Sequence, residues 1–168
     1  MHNKNAKPGN NRILVVDDEQ QIRQFYADLV PKMFPELSVD LAVDGLEAVS
    51  LFKDFQHALI IMDVIMPRMD GITAYELITT YCKSNAIKNP VVIFCTGYAP
   101  PEKLQKLVFD EHTVYLFMKP VSLTDILKVI QEHIPMVAKR PDIAGITPPL
   151  NKARSLHHPR SLLNPHFS

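Results

Sequence analysis

The chain has 168 residues, 46% hydrophobic and 21% charged, with a formal net charge of zero, which suits one ordinary domain with its own core and leaves too little chain for two. Its apolar runs, of which Ala58 to Met62 is typical, fall far short of the about 20 residues that cross a bilayer. The polar start MHNKNAKPGNN lacks a secretory h-region, so no membrane insertion and a cytoplasmic location are expected.

The first strand is predicted at Ile13-Leu14-Val15-Val16, a β-branched apolar run that stops at Asp17-Asp18; such runs suit strands covered on both faces of a parallel sheet. Ile22, Phe25, Tyr26, Leu29, Val30 and Met33 then recur at helical spacing, with Pro35 ending the helix. Ser38 to Ala42 reads as a second strand, and Asp44-Gly45 opens a helix carrying Leu46, Val49 and Phe52. Ala58 to Met62 is the third strand, stopping at Asp63. After Met66-Pro67-Arg68-Met69-Asp70-Gly71 a helix runs through Ile72, Tyr75, Ile78 and Cys82, with Asp70 as its N-cap. Val91 to Cys95 is the fourth strand, ending at Thr96-Gly97, and Pro100-Pro101-Glu102 starts the next helix. Val114 to Met118 is the fifth strand, ending at Lys119-Pro120. Ser122 with Asp125 resembles a capping box for a last helix striped by Leu123, Ile126, Leu127, Ile130 and Ile134. Cys82 and Cys95 make no disulfide framework and read as buried free thiols.

Five strands alternating with five helices imply an α/β domain with a parallel sheet between helical layers. The expected organisation is a flexible N-terminal segment at 1–11, the domain at 12–134, and a Pro-rich, basic, disordered tail at 135–168, where five prolines fall within residues 141–165. The zero net charge conceals an asymmetry. Residues 13–135 carry 10 Lys and Arg against 17 Asp and Glu, whereas residues 136–168 carry five basic groups and only Asp142. No nucleic acid is therefore expected on the body.

Function is suggested by where each apolar strand turns polar. In an open parallel sheet the strand ends share one edge, and ligand sites form beyond it. Asp17, Asp18, Asp63, Thr96 and Lys119 would therefore converge. Crowded carboxylates repel, and a hard divalent cation that also accepts phosphate oxygens, Mg²⁺, relieves them. A carboxylate beside Mg²⁺ is a competent nucleophile toward an activated phosphoryl group, with Lys119 and Thr96 holding phosphoryl oxygens. Neither GxxxxGK[ST] nor GxGxxG occurs, so an already activated donor is expected rather than ATP.

Asp17-Asp18, DGLEAV at 44–49, Asp63 within DVIMPRMDG, Thr96-Gly97 and Lys119-Pro120 together resemble the receiver domain of two-component response regulators, over about residues 12–134. The resemblance implies a doubly wound, flavodoxin-like sheet of order 2-1-3-4-5, with Asp63 as phosphoacceptor. It implies Mg²⁺ on Asp18, Asp63 and the backbone carbonyl of Ile65, with Asp17 helping through water and with Thr96 and Lys119 reading the phosphoryl group. A sensor histidine kinase or histidine phosphotransfer protein would be the donor and an effector protein the reader, on a face built from the fourth helix, fifth strand and fifth helix. Such a module catalyses its own phosphorylation and dephosphorylation but is not an enzyme with a separate substrate. Two departures stand out. Leu116, flanked by Tyr115 and Phe117, occupies the position where the family often has an aromatic switch. Ile65 and Tyr98, bulky and without a carboxylate or amide, flank the expected route of hydrolytic water, which implies a slowly hydrolysing acyl phosphate.

Plainer readings remain beside these. Asp17 or Asp18 alone could cap the first helix, Asp70 caps rather than reacts, and His157, His158 and His166 read as solvated. Two rival functions are a phosphorylation-independent scaffold and an aspartate-nucleophile phosphohydrolase. The second needs DxDx[TV] after the first strand, and Asp17-Asp18-Glu19-Gln20-Gln21 does not supply it.

Overall fold

The computed structural model describes residues 11–135. Apart from Asn11 and Pro135, the segments expected at 1–11 and 135–168 lie outside the described residues. Within them the order is β1 (Arg12–Val16), α1 (Gln20–Met33), β2 (Ser38–Ala42), α2 (Gly45–Phe55), β3 (Leu59–Asp63), α3 (Gly71–Ser84), β4 (Val91–Thr96), α4 (Glu102–Asp110), β5 (Val114–Met118) and α5 (Leu123–His133). All strand pairs are parallel, in the order β2-β1-β3-β4-β5, which is the doubly wound topology expected.

Each wholly apolar strand feeds two cores, because successive side chains point to opposite faces. Ile13 and Val15 join Ile61, Ile93, Tyr26, Val30, Ile126 and Ile130 under α1 and α5. Leu14 and Val16 join Ile60, Met62, Phe52, Ile78, Phe94 and Leu104 under α2, α3 and α4. Burial on both faces is why these strands lack polar alternation.

The helix stripes mark the faces correctly but too widely. Tyr26 and Val30 are buried while Phe25 is 49% exposed, and Leu46 on α2 is 48% exposed; a stripe wider than the contact face leaves its margins in solvent. Asp44 and Asp70 cap α2 and α3, accepting from the Glu47 and Thr73 amides at 2.9 and 2.7 Å. Ser122 occupies the N-cap of α5 without a side-chain bond. Its carbonyl accepts from Asp125 instead, so the expected capping box does not form. Cys82 and Cys95 are buried and free, as expected. No helix among the described residues is long and apolar enough to cross a membrane.

Candidate phosphoacceptor site

The strand register gathers the site. Asp63, the last residue of β3, lies beside Cys95 on β4, so Thr96 is one step further along the neighbouring strand. The Lys119 amide donates to the Thr96 carbonyl at 2.7 Å, bringing the end of β5 to the same edge. Asp17 and Asp18 follow β1 directly. Oxygens of Asp17, Asp18 and Asp63 lie within 4.8 Å of one another. Lys119 Nζ stands 3.0 Å from Asp17 Oδ2 and 3.4 Å from Asp63 Oδ1. Five residues spread over a hundred positions are thus brought together, as the strand ends foretold.

Asp17 is buried and Asp18 exposed. Neither caps α1 from the N-cap position, which is Glu19; Asp17 Oδ1 accepts from the Glu19 amide at 2.9 Å. Arg23, one turn into α1, donates from Nη1 to the carbonyls of Asp17 and Asp18 at 2.7 and 3.0 Å. That clamp was missed in the sequence because it uses backbone acceptors, which leave no residue pattern. Asp63 is only 9% exposed, and its Oδ1 accepts from the Val64 amide at 2.9 Å. Burial pushes its carboxyl above the usual range against the pull of Lys119, and Asp17 adds to the rise. Burial disfavours the Lys119 ammonium, yet the hydrogen bond to Asp17 and the two carboxylate charges outweigh it, and its pKa is raised. Beneath them the Cys95 thiol is pushed up to about 12, chiefly by burial, and is no nucleophile.

Thr96 is buried, its Oγ1 accepting from the Tyr98 amide at 3.2 Å and donating to the Tyr98 carbonyl at 3.3 Å. Ile65 and Tyr98 are 55% and 69% exposed. Gly71 closes the loop after Asp63: its amide donates to the Val64 carbonyl at 3.0 Å, and a Cβ there would lie 2.3 Å from the Asp63 carbonyl oxygen. Only glycine fits. Leu116 is buried in the core that includes Leu104 of α4. Tyr115 and Phe117 face the opposite core, under α1 and α5, where the Tyr115 hydroxyl bonds His133. No aromatic on β5 therefore points toward α4.

Residues 13–131 match the model of the response regulator receiver domain. Among curated proteins, the chemotaxis protein CheY of Halobacterium salinarum is 31% identical over 122 residues, which cover 71% of this chain and 96% of that protein. The transcriptional regulatory protein PdtaR of Mycobacterium tuberculosis is 33% identical over 120 residues, 71% of this chain but 55% of its own length. Among solved structures, the response regulator domain of Thermotoga maritima CheB is similar with a TM-score of 0.59 at 26% identity, covering 76% of this chain and 97% of that one.

Proposed function

The chain belongs to the response regulator receiver domain family of two-component signalling, and from that premise we propose that it takes a phosphoryl group from a phosphohistidine onto Asp63 and signals by protein contact. One observation carries this reading: three carboxylates gather at the end of the sheet, and the ammonium of Lys119 bridges two of them, Asp17 and Asp63. The crowded carboxylates suit an incoming cation, which together with Lys119 would offset the negative charge of a phosphoryl group.

The donor set fits Mg²⁺. Three carboxylates offer oxygens within 4.8 Å of one another, and hard oxygen donors of this kind are what the ion takes. Asp17, Asp18, Asp63 and the Ile65 carbonyl would hold the ion, which supplies neutralising positive charge to the transferring group. With Asp63 Oδ1 engaged by Val64, Oδ2 is the oxygen left to attack. It bonds phosphorus as the P–N bond of the phosphohistidine breaks. The imidazole nitrogen keeps the electron pair and takes a proton from solvent. Lys119 and Thr96 then bind phosphoryl oxygens. Turnover is of the chain's own aspartate, with no separate substrate.

The partners are a sensor histidine kinase or histidine phosphotransfer protein and a downstream effector, met in the cytoplasm by a receiver spanning 12–134, with 135–168 as an added segment. Transfer of labelled phosphoryl from a phosphorylated histidine phosphotransfer domain tests this. Label should move to the wild-type chain in Mg²⁺ and stay on the donor with EDTA or with Asp63→Asn. Label accumulating on Asp63→Asn would contradict it. A second reading, a scaffold indifferent to phosphorylation, draws support from buried aliphatic Leu116 and from Tyr115 and Phe117 facing away from α4. Equal effector affinity for both forms would favour that scaffold.

A further inference from the structure

The loop from Asp63 to α3 is tied down from an unexpected side. Arg68 sits at φ 65°, in the left-handed region that favours glycine. The Met69 amide donates to the Pro67 carbonyl at 2.7 Å, closing a three-residue turn around Arg68 in its rarer, strained hand. This conformation carries the guanidinium of a largely exposed side chain onto Asp44, which is 0% exposed. Asp44 Oδ1 is spent on capping α2. Its Oδ2 has no hydrogen-bond partner otherwise among the described residues, so Arg68 is the counter-charge of a buried carboxylate, which would be costly to leave alone.

The two corners interlock further. The Gly45 amide donates to the Met69 carbonyl at 3.1 Å, and a Cβ on Gly45 would lie 2.7 Å from Met69 Cγ. The corner before α2 and the loop after β3 are therefore one unit, and that loop carries both the Ile65 carbonyl and the Gly71 contact with Asp63. We infer that Arg68 is a positioning residue: its ion pair with buried Asp44 orders the loop beside Asp63 so that the cation site is formed in advance. The inference about the cation rests on the reading of the site given above; the ordering of the loop does not.

The test uses the full chain as wild type, Arg68→Gly, Asp44→Asn and the double variant. Arg68→Gly removes the charge while relieving the left-handed backbone, so lost order cannot be blamed on added strain. Asp44→Asn keeps an equally good cap and removes the charge alone. Hydrogen exchange at the Gly45 and Gly71 amides, measured without metal, should be about tenfold faster in either single variant. Mg²⁺ affinity by calorimetry should fall by about tenfold, the scale for loss of a group that orients a ligand. The double variant should be no worse than either single one. Wild-type protection in both variants overturns the inference, as does a lowered Tm with Mg²⁺ affinity unchanged, which marks a mere staple. If wild type itself binds no Mg²⁺, the reading of the site fails, and the metal-free exchange rates still decide whether the pair orders the loop.

Discussion

The two ends of the sheet handle charge in opposite ways. At the C-terminal end of the strands Asp17, Asp18 and Asp63 crowd together, and the ammonium of Lys119 is shared between Asp17 and Asp63. Toward the other end one carboxylate has two partners: Arg12 grips Asp40 with a two-pronged bond of 2.8 and 2.7 Å, and fully buried His57 meets the same group at 2.9 Å. Arg12 also lies 4.4 Å over the Phe55 ring. Burial would raise the Asp40 carboxyl, but the His57 and Arg12 contacts outweigh it and hold it below the usual carboxylate range. A carboxylate matched by two partners staples β1 and β2 to the start of β3, whereas carboxylates that outnumber their cation mark a candidate site.

Four substitutions probe this contrast. The largest effect is expected from Gly71→Ala. Its Cβ would collide with the backbone of Asp63, and overpacking against a rigid neighbour costs about 3 kcal/mol; chemical denaturation with an unchanged m-value would check it. Next, Asp40→Asn should destabilise by about 2 kcal/mol, less than a fully buried pair because the cluster is partly solvated. The sign with pH follows from the lowered carboxyl. Asp40 stabilises the fold above the unfolded carboxylate pKa of about 3.9 and ceases to as pH falls through its lower folded value. The gap between wild type and Asp40→Asn in urea midpoints should therefore shrink on acidification below about pH 4.

Asp63→Asn should move the other way and raise stability by about 1 kcal/mol in metal-free buffer, since it removes one of three crowded carboxylates. A lower Tm for that variant would show that Lys119 already compensates the site. The smallest effect is kinetic. Ile65→Asn places an amide able to orient water at the site's mouth and should shorten the acyl-phosphate lifetime by about threefold, or about 0.65 kcal/mol. Equal lifetimes would remove the idea that bulk at Ile65 and Tyr98 slows hydrolysis.

The site was legible in the sequence because its members sit where apolar strands stop, and a parallel sheet sends all those stops to one edge. Asp44 and Asp70 were equally readable as helix starts. The opposite cluster was not: Asp40 lies inside an edge strand, His57 between α2 and β3, and Arg12 at the start of β1, with no local pattern to join them. Arg68 escaped for a related reason. Its left-handed backbone and its partner 24 positions earlier both depend on how two loops pack. Phe25 and Leu46 followed the helical period yet face solvent, because periodicity gives the direction of a face and not its width.

The central claim is that the unsatisfied edge accepts a phosphoryl group at Asp63. Incubating the full chain with Mg²⁺ and a small acyl-phosphate donor, followed by intact mass measurement, tests it most directly. The account predicts a gain of one phosphoryl group in wild type, none in Asp63→Asn and none in EDTA. No gain in a wild-type chain shown separately to bind Mg²⁺ would contradict it and leave the phosphorylation-independent scaffold as the better account.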